Sequence, residues 1–316
     1  MRLHKSQPKK LYQMLIKWLH DNQQLLAKEL NDSSLIQKLK SHNGDEGKDC
    51  LSVIATNEAI ANKLIRSFSK LNDAFPNLMM RFGWIENEDQ SLNTALYSGI
   101  SMVIGEDRYI NRFMKASKVK SLIMTNRAQN DELHLGFQRH LAPHNNPYSI
   151  SLGEVRQDIA HAETMVRTAN NIEFNMGVMR QEDSGCACSH TAGLDIYDSC
   201  KLMRLAGLSK QLQFLGINTE TDQISEKSAD AISLLVWYFI EGQINKEIET
   251  MKQKENDIFL VSSEQFQEPI KFVVGHKTGR WWYQHPSTKE YVPCSDKDYQ
   301  AIAIGSLPDS LVSLSN

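Results

Sequence analysis

Short apolar runs alternate with segments of helical periodicity along most of this chain, and this alternation limits the available folds more than any other feature. Apolar runs occupy residues 51–55, 101–104 and 121–125, and helical spacing follows the first of them in 58–71. Strands that alternate with helices pair in parallel and need helices on both faces of their sheet. The sequence therefore predicts an α/β fold with a mostly parallel central sheet that is covered by helices on both faces.

The same patterns place the remaining elements. Further strands are predicted at 78–82, 133–137, 172–176, 213–217 and 270–275, and helices at 91–98, 109–116, 152–168, 198–206 and 227–242. A strand or hairpin and then a short helix are expected in 280–302. Sheets of this kind form their sites just beyond the carboxyl ends of the strands, so the search for chemistry starts there.

Composition excludes several classes of protein. The net charge of the 316 residues is −3, which gives no reason to expect nucleic acid as a partner. No apolar run approaches the roughly 20 residues of a membrane span. An odd number of cysteines, five, without a secretory signal predicts a reducing compartment, the cytoplasm, and free thiols.

The first 45 residues differ from the rest. They begin with basic side chains and continue with apolar ones at helical spacing: Leu11, Met14, Leu15, Trp18 and Leu19. We interpret 1–45 as an amphipathic helical extension and 46–316 as the α/β domain. The extension is predicted to pack on the domain, with binding of a protein partner or a membrane surface as the alternative.

Several blocks in the second half resemble a known family when they are taken together in order. They are 152–156 (LGEVR), 162–163 (AE), Arg167, 169–170 (AN), 173–175 (EFN), 206–209 (AGLS), 214–217 (FLGI), 237–242 (WYFIEG) and 280–282 (RWW). This pattern is similar to the arginase/agmatinase/formimidoylglutamase (ureohydrolase) family, most closely to its Bacteroidetes branch. The likeness is good over about 133–308, weaker over 51–130 and absent before that.

The resemblance implies an arginase-like αβα fold, assembly into homo-oligomers and a pair of manganese ions at the strand ends. Active members hydrolyse guanidino or amidino C–N bonds with a metal-activated water. Mn²⁺ prefers oxygen and imidazole ligands. The family supplies them from three motifs that follow strands.

None of the six ligand positions that the resemblance implies carries a good Mn²⁺ ligand here. They are occupied by Arg108 in the first motif, Thr125, Arg127 and Gln129 in the second, and Asn175 and Gly177 in the third. An arginine is permanently protonated and has no lone pair to donate. A shift of the alignment by one or two residues would let Glu106 or Asp107 supply one oxygen.

These substitutions predict a catalytically degenerate ureohydrolase-like protein without a cofactor, which serves as a binding or assembly module. The alternative is an active hydrolase with a rearranged or single-metal site, Mn again being the metal, built from Glu106, Asp107 and Asp183. Together with Arg180 and Gln181, these carboxylates form the candidate residual polar pocket, which suits a small anion or carboxylate. Hydrogen bonds that stabilise a loop explain Arg180, Gln181 and Asp183 equally well.

A third hypothesis concerns the segment 186–190 (CACSH). A thiolate or zinc role is conceivable for Cys186, Cys188 and His190, but zinc sites usually add a second pair of ligands, and none is visible. A plain loop is favoured, with redox reactivity of Cys186 or Cys188 as the next possibility.

Two other groups of side chains are better explained by structure than by function. His134, His140 and His144 form a loose set, but prolines interrupt their segment and a helical pair is not expected. The aromatic run 281–283 (WWY) invites comparison with a nucleic-acid stacking platform, yet no basic groove accompanies it, and packing is the preferred interpretation.

Overall fold

A computed structural model describes residues 49–74, 78–84, 101–116, 120–127, 132–139, 149–245, 256–262, 268–276 and 279–306. The predicted N-terminal extension, the predicted helix at 91–98, Gln129, His140 and His144 lie outside these ranges.

Eight parallel strands form the central sheet. They are β1 (Asp49–Ala55), β2 (Leu78–Trp84), β3 (Ser101–Gly105), β4 (Ser121–Met124), β5 (Leu133–Phe137), β6 (Ile150–Ser151), β7 (Asn171–Asn175) and β8 (Phe214–Asn218). Their order across the sheet is β2-β1-β3-β8-β7-β4-β5-β6. The central strands β7 and β8 are buried along their whole length, as expected for a sheet covered on both faces.

A second, antiparallel sheet has four strands in the order β12-β11-β10-β9. Its strands are β9 (Asp257–Val261), β10 (Ile270–Val274), β11 (Trp281–Gln284) and β12 (Tyr291–Cys294). The aromatic run lies in β11, where Trp282 and Tyr283 are buried and Trp281 stacks on Tyr299 with a ring separation of 4.9 Å. This arrangement supports packing as the role of these rings.

The described helices cover both faces of the central sheet. They are α1 (Glu58–Ala74), α2 (Asp107–Ala116), α3 (Leu152–Gln157), α4 (Ile159–Thr168), α5 (Gln181–Ser184), α6 (Ile196–Leu208), α7 (Glu226–Asn245) and α8 (Asp296–Ala303). On one face, apolar side chains of α1, α4, α6 and α7 pack on the sheet in one large core. On the other face, Ile110 and Met114 of α2 pack against Val103 and Phe214.

The three-layer αβα fold and the parallel sheet that the sequence predicts are thus confirmed. Most predicted elements are present with ends shifted by a few residues, but the single helix predicted at 152–168 is wrong. Asp158 adopts an extended conformation (φ −154°, ψ 93°) and divides it into α3 and α4. Its carboxylate pairs with Lys297 of α8.

Glycine allows α6 and α7 to cross closely. A Cβ atom on Gly207 would lie 2.2 Å from the backbone oxygen of Phe239, and one on Gly242 would lie 2.2 Å from the backbone oxygen of Arg204. Both distances are far below van der Waals contact, so the two helices can approach this closely only with glycine at both positions. The blocks 206–209 and 237–242 therefore have a packing role.

A buried charge cluster joins the two sheets. Glu163 of α4 accepts from Arg167 at 3.2 Å and from Arg280, just before β11, at 2.8 Å. The Arg167 guanidinium also lies 4.5 Å from the centre of the Trp282 ring. Both arginines are more than nine-tenths buried, so the Glu163 carboxylate pairs with two cations that are removed from water. Three further family-like blocks, 162–163, Arg167 and 280–282, therefore have a structural role.

Candidate functional site

The strand-end region is positioned by the sheet itself, because all eight strands are parallel and their carboxyl ends lie along one edge. At the end of β3, Gly105 has φ +147°, and a Cβ there would lie 1.8 Å from Thr56 Oγ1. The same hydroxyl accepts a hydrogen bond from the Glu106 N–H at 3.2 Å. Glycine thus allows the chain after β3 to turn tightly against the chain after β1.

A hydrogen-bonded network of amides and carboxylates occupies the ends of β3, β7 and β8. The side-chain amide of Asn218 donates to Glu173 Oε1 at 2.8 Å and to Asp107 Oδ1 at 2.9 Å. Its oxygen accepts the Glu220 N–H at 2.8 Å. Both amide hydrogens and the amide oxygen are therefore engaged, and Asn218 bridges two carboxylates by donating to each.

Asn175 forms the second half of this network. Its amide nitrogen donates to Glu220 Oε1 at 2.8 Å, and its oxygen accepts the Gly177 N–H at 2.7 Å. Glu220 has φ +58°, which is rare for a residue other than glycine, and the bonds from Asn175 and to Asn218 hold it there. At the third motif, both the nitrogen and the oxygen of the Asn175 amide are thus already hydrogen-bonded.

Glu173 is the titratable centre of the network. It points to the face of β7 opposite the large core and is almost completely buried. Burial raises the pKa of this carboxyl from 4.5 to about 7, the hydrogen bond from Asn218 lowers it, and the charges of Asp107, Glu132 and Glu220 raise it further. The strand-end centre therefore holds a carboxyl group that titrates near neutral pH.

The other predicted ligand positions lie apart from this network. Arg108 is exposed in the first turn of α2 and pairs with Glu106 at 3.1 Å. Thr125 is buried and its hydroxyl accepts the backbone N–H of Arg127, whose side chain is exposed. These groups offer one hydroxyl and two guanidinium cations where Mn²⁺ would need carboxylates and imidazoles, so the donor set does not fit the metal.

The residual polar pocket predicted from the sequence is divided among separate partners. Glu106 pairs with Arg108, Asp107 accepts from Asn218, and Arg180 pairs with Asp183 at 2.9 Å. Among the described residues, no three histidine, cysteine, aspartate or glutamate side chains lie close enough together to hold a metal ion. His134 is buried in β5.

An open cleft lies beside the network, between the ends of β1 and β3. Its volume is about 590 Å³, and it is lined by Asn57, Glu58, Ala59, Asn62, Glu106, Arg108, Asp222 and Gln223. The chain leaves β1 for α1 on one face of the sheet and leaves β3 for α2 on the other. Ligands of α/β proteins bind in the crevice that such a divergence creates.

The loop 186–190 holds a disulfide between Cys186 and Cys188. The prediction of free thiols is therefore wrong for these two residues, and it is right for the buried Cys200 and Cys294. A prediction based on the number of cysteines and the inferred compartment does not include local geometry. The loop places the Cα atoms of Cys186 and Cys188 only 5.3 Å apart, within the usual range for a disulfide.

Sequence reasoning missed Asn218, Glu220 and Thr56, because these residues lie at or just beyond the ends of strands and match no catalytic pattern. Glu173 enters the sequence analysis only as part of a family-like block. A stronger signal was available: Glu173 is a charged residue between Ile172 and Phe174 in a strand expected to be buried on both faces, and such a residue needs a partner.

No protein-family model matches the chain, and no curated protein matches it. Among solved structures, the oxidized formiminoglutamase of Trypanosoma cruzi with Mn²⁺ aligns at 14% identity, covering 66% of this chain and 97% of its own, with a TM-score of 0.49. The agmatine ureohydrolase of Thermoplasma volcanium aligns at 10% identity, covering 66% and 94%, with a TM-score of 0.48. The arginase from Bacillus subtilis aligns at 8% identity, covering 61% and 98%, with a TM-score of 0.46.

In the part of this chain that the structure describes, no helix has the length and apolar character needed to cross a membrane.

Proposed function

We propose that this chain is a degenerate relative of the ureohydrolases, nearest to their Bacteroidetes branch, that has lost the dimanganese site and binds a small polar ligand at the strand ends. The observation that carries the proposal is the Asn218 amide between Asp107 and Glu173. Carboxylates that converge on a metal need a cation between them, and here an amide donates a hydrogen bond to each instead. The oxygens that face the amide are thereby occupied.

The contrast between scaffold and ligand positions supports the same proposal. Residues of the family-like blocks make the close helix crossing at Gly207 and Gly242 and the charge cluster around Glu163. The positions implied as metal ligands carry Arg108 and Asn175, both engaged with neighbouring side chains. The family-like residues that maintain the fold are thus present, whereas the residues that hydrolysis would need are replaced by others.

Metal analysis tests the loss of the dimanganese site. Purified protein is incubated with excess MnCl₂, desalted and analysed by mass spectrometry for metal content, and release of urea or formamide is followed with arginine, agmatine and formimidoylglutamate. We expect far less than one Mn per chain and no turnover above a metal-only control. About two Mn per chain, the content of a two-metal centre, together with hydrolysis of any of these substrates would overturn the proposal.

The cleft suggests the chemistry of the ligand. Glu58, Glu106 and Asp222 place three carboxylates around it against the single guanidinium of Arg108, which is already paired with Glu106. The excess of negative charge attracts a small cation, and asparagine side chains at the rim can bond its polar groups. A guanidinium or amine compound of modest size is therefore the ligand that the cleft suits best.

Calorimetry with agmatine as the probe tests this binding. Glu58→Gln and Asp222→Asn are each expected to weaken binding about fivefold, the equivalent of ~1 kcal/mol for an exposed charge pair. Higher salt should weaken it further. Glu182→Gln serves as a matched control, because Glu182 is exposed in α5 and does not line the cleft. Equal affinities of the wild type and both cleft variants would contradict the assignment.

We further propose that identical chains assemble in the cytoplasm. The extension 1–45 would contact either the domain or a protein partner. Strand β9, at one edge of the second sheet, exposes Ile258 and Leu260, which supports an assembly role for that edge. Light scattering after size exclusion should give a mass above that of one chain, and Leu260→Lys should lower it. A wild-type mass of 36.0 kDa, that of a single chain, would contradict assembly.

A further inference from the structure

The disulfide between Cys186 and Cys188 presents its two sulfur atoms differently to solvent. Cys186 is 8% exposed, whereas Cys188 is partly exposed and Ala187 between them is exposed. A thiol that approaches from solvent therefore reaches Cys188 first. Which sulfur is attacked in an exchange reaction depends on this access.

The environment of Cys186 suits its sulfur to be the leaving group in an exchange reaction. The backbone N–H of Cys188 donates to Cys186 Sγ at 3.3 Å and would stabilise the negative charge of a departing thiolate. Cys186 Sγ also lies 3.7 Å from the carbonyl oxygen of Thr219, to which a protonated thiol would donate. Both the thiolate and the thiol of Cys186 thus have a hydrogen-bond partner in place.

The disulfide loop is tied to the strand-end region. Ser189 donates to the carbonyl oxygen of Met176 at 2.8 Å, and its hydroxyl is 2.7 Å from that of Ser184. The carbonyl oxygen of Cys188 is 3.2 Å from the position that a Cβ on Gly177 would take. Through Thr219, the loop also adjoins Asn218 and Glu220 of the network. Opening of the disulfide would therefore alter the contacts at the ends of β7 and β8.

We propose that Cys186 and Cys188 form a reversible disulfide that exchanges with low-molecular-weight thiols through a mixed disulfide on Cys188. A thiolate attacks Cys188 Sγ, the bond between the two protein sulfurs breaks, and its electron pair passes to Cys186, which then takes a proton. A second thiolate attacks the small-molecule sulfur of the mixed disulfide and releases Cys188. Two thiols are oxidised to one disulfide, and the protein gains two electrons and two protons.

This inference is independent of the proposed ligand binding, because it rests on the loop and its contacts alone. It also excludes the zinc alternative for the oxidised protein, since sulfurs bonded to each other are not available as thiolate ligands.

Trapping with glutathione tests the exchange on the intact chain. The native protein is equilibrated at several ratios of reduced to oxidised glutathione, quenched with acid, alkylated and weighed by mass spectrometry. Cys186 and Cys188 are expected to become alkylated together, as a pair, as the ratio rises. Two cysteines that are alkylated fully even with oxidised glutathione in excess, or that stay bonded at the most reducing ratio, would overturn the proposal.

Single variants test which sulfur a small reagent can reach. The remaining protein thiolate attacks oxidised glutathione and releases one reduced glutathione, so Cys186→Ser should accumulate glutathione on Cys188, and Cys188→Ser should form the adduct on Cys186 at least about tenfold more slowly, because access controls exchange. Cys200→Ser is the matched control and should titrate as the wild type does, since Cys200 is a buried free thiol. Equal rates in the two variants would refute the preferred access to Cys188 on which attack at this sulfur depends. If either variant fails to fold, the rate and site of adduct formation in the wild type, mapped by proteolysis, decide the same question.

Discussion

At the scale of single residues, two asparagines determine the character of the strand ends. An amide has the shape of a carboxylate but carries two N–H donors, and Asn218 and Asn175 use theirs on the carboxylates of Asp107, Glu173 and Glu220. These neutral donors hold together carboxylates whose negative charges would otherwise repel one another. Burial nevertheless raises the pKa of the Glu173 carboxyl to about 7, although the hydrogen bond from Asn218 opposes this rise.

The pH dependence of stability is expected to reveal Glu173. Its pKa is 4.5 ordinarily and about 7 in the folded protein, so between these values the folded state holds a proton that the unfolded state has released. The free energy of unfolding therefore falls as pH rises through this window, by at most ~3 kcal/mol. Glu173→Gln removes the titrating proton and should abolish this part of the slope.

Urea unfolding at a series of pH values from 5 to 8 measures the effect. Glu182→Gln, an exposed substitution of the same type, should keep the wild-type slope. A Glu173→Gln variant whose stability still falls with pH as steeply as that of the wild type would show that another group is responsible.

At the scale of elements, periodicity in the sequence predicted most strands and helices because burial follows the period of each element. It could not locate the break at Asp158, since the apolar residues Val155 and Ile159 continue on either side of it. At that break the Asp158 carboxylate pairs with Lys297, which lies 139 residues further along the chain. Long-range contacts of this kind leave no local pattern.

The crossing of α6 and α7 should be sensitive to the smallest possible addition. Gly207→Ala places a methyl group 2.2 Å from the Phe239 carbonyl oxygen, and the backbone must move to admit it. We expect the free energy of unfolding to fall by about 1–3 kcal/mol or more, as for other overpacked cores. Thermal or urea unfolding measures this change.

Gly153→Ala is the matched control for this substitution. Gly153 is also helical, in α3, and a Cβ there would meet no atom within 4 Å. The alanine should leave stability unchanged or raise it by up to about 1 kcal/mol through its helix propensity. Similar losses in the two variants would mean that glycine is needed at Gly207 for some reason other than close packing.

At the scale of the whole molecule, the alternation of strands and helices was sufficient to predict a parallel sheet covered on both faces, and the resemblance directed attention to the ends of β3, β4 and β7. The second sheet was not predicted as a unit. Its strand β9 was missed, and its pairing with β10 and the stacking of Trp281 on Tyr299 are tertiary facts. The same applies to the amide network, which joins residues from β7, β8 and α2.

The attachment of the second sheet is expected to depend on Glu163. Glu163→Gln removes a carboxylate that pairs with two buried guanidinium groups, those of Arg167 and Arg280, and breaking a buried ion pair typically costs about 3–5 kcal/mol. Unfolding by urea should show this loss. Glu268→Gln removes an exposed partner of Lys289 and should cost less than ~1 kcal/mol. Comparable losses in both variants would contradict the importance of burial at Glu163.

The Asn218 bridge has a further consequence for how the protein depends on its surroundings. A bridge made by a side chain is present as soon as the chain has folded, in every copy and at every metal concentration. Chelators such as EDTA should therefore leave the arrangement of Asp107 and Glu173 intact, and growth of the producing cells with little manganese should not alter it.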